Sequence, residues 1–126
     1  PEFKAWWRQT TAELRRLGYL AEPVMQRRRY FVDMDYNAAL NYRVQAGGFA
    51  VVAKAMIDLV HNHLPFDFGQ RTGLVNQLHD AVLFAVPESR ADYASQVVTE
   101  TLTTRVEGLP VTFTAEAEVG ETWMDT

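Results

Sequence analysis

Apolar residues recur along the first half of the chain at helical spacing, interrupted by one stretch with the short apolar runs of strands. The spacing predicts an amphipathic helix over Pro1–Leu17, ended by Gly18 in a left-handed conformation. Two short runs, 18–22 and 28–32, predict a hairpin. From Asn37 to His63 the pattern is helical again, which predicts one long helix with Asp35 as a candidate N-cap.

The second half contains the strongest strand pattern, over residues 74–86. Two short apolar strands are interrupted there by the polar pair His79-Asp80, and an unpaired carboxylate buried inside a strand would be costly. The chain is therefore predicted to reverse at this pair, so that both side chains stand out of a hairpin tip. Further along, the pattern predicts a helix over 89–108 and a half-buried strand over 110–119.

The predicted order is helix, hairpin, long helix, hairpin, helix and strand. This order is typical of an α+β fold in which helices pack on one face of a small antiparallel sheet. We expect the 74–86 hairpin and the 110–119 strand to share that sheet. With 126 residues and 48% hydrophobic composition, the chain is long enough for a single domain over 1–126 with its own core.

Composition excludes several kinds of protein. The chain has no cysteine, which rules out disulfides and zinc–thiolate sites and favours a reducing compartment. No uninterrupted apolar run approaches the ~20 residues of a transmembrane helix and no signal peptide is visible, so no membrane partner is expected. The sequence opens at Pro1 without a methionine, and we expect it to be a piece of a longer protein.

Charge is divided unevenly along the chain, although the net charge is only −4. Residues 1–54 hold nine Lys and Arg against five acids, whereas residues 55–126 hold three against eleven. A basic end suits an anionic partner, but an unevenly charged solvated surface explains the same counts equally well. The run Arg27-Arg28-Arg29 has two similar interpretations, because arginine forks match phosphate oxygens and also occur in solvated turns.

Two polar groups are candidates for chemistry. A carboxylate held at a tight turn between two core strands is well placed to be a metal ligand, which makes Asp80 a candidate. An ordinary polar turn is the alternative. Asn41 and Gln45 are four residues apart and so project from one helix face, where amides can meet base edges or sugars or simply form a polar surface.

The order of these segments resembles that of a known family. Motif C of the family A DNA polymerases, the bacterial DNA polymerase I type, consists of a strand, then Val-His-Asp-Glu, then a second strand. The segment Gln77–Val86 of this chain is similar to that motif. The family's Asn-x-x-x-Gln-Gly segment and the long helix after it resemble Asn41–Gly47 and Lys54–Ile57. Three further segments have counterparts in the same order: Leu17–Tyr19, Arg27–Tyr30 and Glu118–Trp123.

The resemblance implies that the chain is the C-terminal part of a polymerase palm. The implied activity is that of a DNA-directed DNA polymerase: template-dependent nucleotidyl transfer with two Mg²⁺ ions, acting on primer–template DNA and dNTP. By the same resemblance Asp80 ligates metal and His79 lies by the primer terminus. Asn41 and Gln45 follow the minor groove. Arg27, Arg28 and Arg29 add backbone contacts. The implied location is the cytoplasm of a bacterial or phage-infected cell.

The chain also departs from the family pattern. Ala81 stands where the family usually has Glu, and Asn37 stands where the bacterial enzymes carry an Arg that contacts template. No segment resembles motif A with its aspartate, or the fingers. We therefore expect the chain alone to be inactive and to need a partner chain or upstream segment that carries both. Exposed apolar surface would also favour homo-oligomers. The competing hypothesis is a non-catalytic α+β module that binds nucleic acid or a protein.

Overall fold

The computed structural model describes residues 2–33, 35–105 and 111–125. The helices there are α1 (Glu2–Leu17), α2 (Tyr36–Asp58) and α3 (Ala91–Leu102), and α2 continues as a π-helical turn over Leu59–His63. The strands are β1 (Tyr19–Ala21), β2 (Arg28–Tyr30), β3 (Gly73–Leu78), β4 (Ala81–Ala85), β5 (Thr104–Arg105) and β6 (Thr112–Phe113). Single 3₁₀ turns cover Glu88–Arg90 and Trp123–Asp125. The mixture confirms the predicted α+β class.

The arrangement of strands differs from the one predicted. In the described part of the chain the strands form separate two-stranded antiparallel sheets, β1–β2, β3–β4 and β5–β6. The final strand therefore pairs with β5, through Thr104↔Phe113 and Arg105↔Thr112, and does not join the β3–β4 hairpin. An alternating pattern identifies a strand with one wet face, but it carries no information about which strand is its neighbour.

The third helix is also shorter than predicted. It begins at Ala91 and ends at Leu102, and residues 104–105 are strand. The sequence from Thr101 to Thr104 holds three threonines, whose β-branched side chains favour strand over helix. The predicted helix end at residue 108 lies outside the described residues.

The chain divides into two compact units, residues 1–50 and 51–126, with the boundary inside α2. The predicted single domain over 1–126 stays a prediction. The first unit is built on a buried cluster from its helices and its hairpin, formed by Leu14, Leu20, Phe31 and Ala39. The second unit has its own cluster, in which Leu59 and Leu64 meet Ala94 and Val97 of α3.

Helix ends in the first unit follow local chemistry. Gly18 has a φ of +73°, which favours glycine, and its N–H donates to the Leu14 carbonyl at 2.8 Å. This contact ends α1 at the predicted position. Asp35 begins α2 as predicted, because its Oδ1 accepts from the N–H groups of Asn37 and Ala38 at 3.0 Å.

One arginine joins the elements of the first unit. The Nη2 of Arg43 donates to both carboxylate oxygens of Glu13, at 2.9 and 2.8 Å. Its Nη1 donates to Thr10 Oγ1 and its Nε to the Ala21 carbonyl, each at 3.4 Å. Arg43 therefore connects α2 to α1 and β1, and its charge is neutralised within the fold.

One helix in the described part of the chain, residues 36–63, is long and apolar enough to cross a membrane by length and composition. The core helix of a soluble protein passes the same test, so the observation assigns no location. The prediction from sequence that no segment spans a membrane rests on uninterrupted apolar runs alone. This helix meets the criterion with polar residues such as Arg43 and Lys54 within it.

Candidate functional site

The polar pair at the centre of the strongest strand pattern forms the tip of a hairpin. Strands β3 and β4 pair antiparallel through Gln77↔Val82 and Leu78↔Ala81, which leaves only His79 and Asp80 in the turn. His79 has a φ of +53°. Two-residue hairpin turns require a positive φ at this first central position, because only then does the turn match the strand twist. The Gln77 side chain donates to the His79 carbonyl and braces the turn.

The hairpin presents its functional candidates to solvent. His79, Asp80 and Ala81 are all exposed, whereas most residues of β4 are partly buried. The Asp80 carboxylate is thus accessible and projects from a turn whose backbone is held on both sides by paired strands. Its role as a metal ligand stays a prediction.

The described residues do not hold a complete metal site. Within residues 2–33, 35–105 and 111–125, no three His, Cys, Asp or Glu side chains come together as a metal-binding group. Mg²⁺ demands an octahedral shell of oxygen ligands, usually with one or two carboxylates. Asp80 can provide one of them, and the neighbouring Ala81 has no side-chain oxygen. The described residues therefore do not fit the implied pair of Mg²⁺ ions.

A second candidate surface lies in the first unit, where the arginine run lines an open groove of about 490 Å³. Arg27, Arg28 and Arg29 form one wall, and Gln45 and neighbouring residues of α2 form the other. The sequence placed Gln45 with Asn41. The structure instead brings Gln45 together with the arginines, and we call this surface, lined by Arg27–Arg29, Tyr42, Gln45, Ala46 and Phe49, the arginine groove.

Asn41 faces a different cavity. This space of about 510 Å³ is lined by α1 and α2, through Phe3, Trp6, Asn37, Leu40, Asn41 and Val44. Four residues of helix separate Asn41 from Gln45 by about 6 Å along the axis, enough for the two amides to border different spaces. Both side chains are exposed, so either amide can reach a ligand from solvent.

Aromatic rings hold the arginine head groups of the groove. The Arg28 guanidinium lies 4.8 Å from the centre of the Tyr19 ring, and that of Arg29 lies 5.1 Å from the centre of the Phe31 ring. Stacking on a ring face leaves the in-plane N–H groups of a guanidinium available to a further acceptor. The groove is therefore a cationic surface with donors directed by packing.

Sequence reasoning missed the residue that organises this surface, Glu22. Its side chain is fully buried. The carboxylate accepts from the N–H groups of Val24 at 2.7 Å, Met25 at 3.0 Å and Arg27 at 3.1 Å. Burial by itself raises the pKa of Glu22, but these hydrogen bonds and one from the Arg27 side chain lower it more, so the pKa lies below its ordinary value. An acid directly before Pro23 in a predicted turn is the signal that could have identified it.

The lowered pKa of Glu22 predicts a pH-dependent contribution to stability. A carboxyl whose pKa is lower in the folded state stabilises the fold above its unfolded pKa, near 4.5, and loses that contribution as pH falls through the folded value. We expect Glu22→Gln to lower the free energy of unfolding at pH 7 by about 1–3 kcal/mol. Urea unfolding of both proteins between pH 7 and pH 3 should show this difference shrinking below pH 4.5. A difference independent of pH would contradict the prediction.

Comparison with known proteins identifies the family of this chain. The profile of DNA polymerase family A matches residues 1–125. The chain therefore belongs to DNA polymerase family A, as its motifs predicted. It is 30% identical to the thermostable DNA polymerase I of Thermus filiformis and 28% identical to that of Thermus aquaticus, over 99% and 98% of this chain. It spans only 16% and 15% of the length of those two relatives.

A solved structure shows the same fold. The chain is similar to the POL domain of Pol1 from M. smegmatis, in complex with DNA primer-template and dNTP, with a TM-score of 0.63 and 25% sequence identity. The similarity covers 79% of this chain and 19% of the Pol1 chain.

Proposed function

We propose that this chain is the C-terminal palm portion of a DNA-directed DNA polymerase and contributes the motif C aspartate, Asp80, to its active site. The supporting observation is the position of His79-Asp80 at the exposed tip of a two-residue hairpin, in a chain that family A matches from residue 1 to residue 125. In nucleotidyl transfer the primer 3′-hydroxyl becomes bonded to the α-phosphate of a dNTP and pyrophosphate leaves. His79 would lie beside that primer terminus.

The incomplete carboxylate set determines the rest of the proposal. Because the described residues supply Asp80 without a second acid beside it, the Mg²⁺ site would be completed by a segment outside this chain that carries the motif A aspartate and the fingers. The chain alone would then be inactive. Such an assembly would work in the cytoplasm of a bacterial or phage-infected cell.

Apart from His79 at the primer terminus, the proposed DNA contacts lie in the first unit. Asn41 and Gln45 are exposed amides that suit the minor groove, where every base pair presents acceptors in similar positions. The arginine groove would receive the sugar–phosphate backbone, whose contacts position a duplex without reading its sequence. The similarity to a polymerase domain bound to primer-template and dNTP supports both assignments.

Apolar side chains remain exposed in each unit. In the second unit Phe68 is 94% exposed and Val75 is 61% exposed. Contact with the completing segment would cover such residues, and self-association of the isolated chain would cover them in its absence.

Reconstitution tests the proposal. The 126-residue chain should give no primer extension by itself. Extension should depend on Mg²⁺ and should appear when the chain is mixed with the polypeptide encoded immediately upstream. The measurement is gel analysis of a labelled primer annealed to a longer template. Equal extension with and without this chain would contradict the proposal. A mixture that binds DNA without any extension would favour the non-catalytic module, which is consistent with the alanine at position 81.

A further inference from the structure

The turn between β1 and β2 is organised around the buried carboxylate of Glu22. Val24, Met25 and Arg27 all donate backbone N–H groups to it, so one side chain satisfies most of the donors of this turn. The turn also lies close to α2, because a Cβ built on Gly47 would be 3.3 Å from Pro23 Cδ. The glycine thus permits an approach that a larger residue would resist. The backbone leading into the arginine run is therefore held in place.

Arg27 helps to hold this turn in place through both its side chain and its backbone. Its Nε lies 3.4 Å from Glu22 Oε1, and its Nη2 donates to the Ala46 carbonyl at 3.4 Å. Its own carbonyl accepts from the Tyr42 hydroxyl at 2.8 Å, and its guanidinium lies 5.1 Å from the centre of the Phe49 ring. Two of the five guanidinium N–H donors of Arg27 thus have partners within the fold, and its backbone N–H and carbonyl are both bonded.

Arg28 and Arg29 differ from Arg27 in this respect. In the part of the chain that the structure describes, neither guanidinium has a hydrogen bond or an ion pair, and the contacts of both are with aromatic rings. Arg28 is in strand register with Ala21 and Arg29 with Leu20, so the geometry of the turn sets where both head groups lie. Their N–H groups remain available to an anion.

We propose that Glu22 is a positioning residue for nucleic-acid binding: with Arg27 it clamps the turn so that Arg28 and Arg29 contact DNA phosphates across the arginine groove. The inference rests on the proposed function, since it assumes that the groove receives a DNA backbone. It assigns the three arginines different roles, with Arg27 holding the turn and Arg28 and Arg29 neutralising phosphate.

The direction in which Glu22→Gln changes the affinity for DNA tests the role of Glu22. Removing a carboxylate beside three arginines raises the net charge, and by charge alone it should tighten binding to a polyanion. A positioning role for Glu22 predicts weaker binding instead. When the turn loosens, the phosphate contacts of Arg28 and Arg29 are lost even though a negative charge has been removed.

The experiment measures fluorescence anisotropy of a labelled duplex primer–template against the 126-residue chain at several salt concentrations. We expect Glu22→Gln to weaken binding about tenfold. The slope of the logarithm of the affinity against the logarithm of the salt concentration should also fall in magnitude by about 1–2. Arg28→Ala should lower the slope by about 1. Glu2→Gln, which removes an exposed acid from the first turn of α1, is the matched control and should bind equally or more tightly.

A second pair of variants covers the case in which Glu22→Gln does not fold by circular dichroism. Arg27→Lys keeps the charge but loses the Nε and Nη2 contacts, so it should weaken binding about as much as Glu22→Gln. The matched control is Arg16→Lys, the same exchange at an exposed residue in the last turn of α1, which should retain the affinity. The double variant of Glu22 and Arg27 should be no weaker than either single variant, because both belong to one clamp.

The possible failures are distinguishable. If the wild-type chain shows no salt-dependent binding to the duplex, the DNA contacts of the proposed function are wrong. The positioning role of Glu22 is then wrong as well. If the wild type binds and Arg28→Ala weakens it, but Glu22→Gln and Arg27→Lys bind as tightly as the wild type, the proposed function survives and the positioning role of Glu22 is wrong.

Discussion

Replacing Asp80 with alanine is expected to reduce Mg²⁺-dependent primer extension by the reconstituted polymerase on the order of 10³-fold, equivalent to about 4 kcal/mol. The side chain stands at the tip of the β3–β4 turn, and no other acid in the described part of the chain joins it in a metal-binding group. No carboxylate in the described part of this chain can therefore take its place. The reaction is followed as labelled primer extended per minute at saturating dNTP.

The control for Asp80→Ala is Asp92→Ala, which removes the same charge from an exposed residue in the first turn of α3. We expect it to retain full activity. DNA affinity should change little in Asp80→Ala, because the proposed DNA contacts come from other residues. Extension that survives in Asp80→Ala would refute the role of this aspartate as a metal ligand.

Replacing Leu20 with alanine is expected to lower the free energy of unfolding by about 2–5 kcal/mol, a large fraction of the stability of a small protein. Leu20 is fully buried with Leu14, Phe31 and Ala39, so its truncation leaves a cavity that its neighbours cannot fill completely. Urea unfolding followed by circular dichroism gives the difference. The residue pairs with Arg29 in the β1–β2 ladder, so looser packing should also weaken DNA binding by the arginine groove.

The matched control for Leu20 is Val32→Ala. Val32 is 93% exposed, and its truncation should change the free energy of unfolding by less than about 0.5 kcal/mol. Equal effects of the two substitutions would show that the cluster of Leu14, Leu20, Phe31 and Ala39 is not the core of the first unit.

The elements that sequence reasoning predicted best depend on local chemistry alone. Gly18 ends α1 because few other residues adopt a φ of +73°, and Asp35 begins α2 because its carboxylate accepts from free N–H groups nearby. The 74–86 stretch reverses at His79-Asp80 because neither side chain belongs inside a strand. In each case the residues that decide the structure are within four positions of one another.

The candidate site was predictable in part for a different reason. His79 and Asp80 were identified from the order of several motifs, and their structural position follows from one hairpin. Asn41 and Gln45 are four residues apart on α2, and Gln45 lines the arginine groove while Asn41 lines the cavity beside α1, because a helix turn moves a side chain along the axis as well as around it. Sequence reasoning misses Glu22, because an acid before Pro23 indicates a turn but does not show that three backbone N–H groups will donate to its carboxylate.

The sequence by itself determined the family, the α+β class, the order of helices and hairpins, and the exposed position of His79-Asp80. Each of these follows from periodicity, turn chemistry or motif order, which are properties of neighbouring residues. Only the tertiary structure decided that β6 pairs with β5, that Gln45 joins Arg27–Arg29, and that Glu22 holds the turn before them. Strand pairing and the satisfaction of buried polar groups depend on which distant segments meet, and local patterns do not specify that.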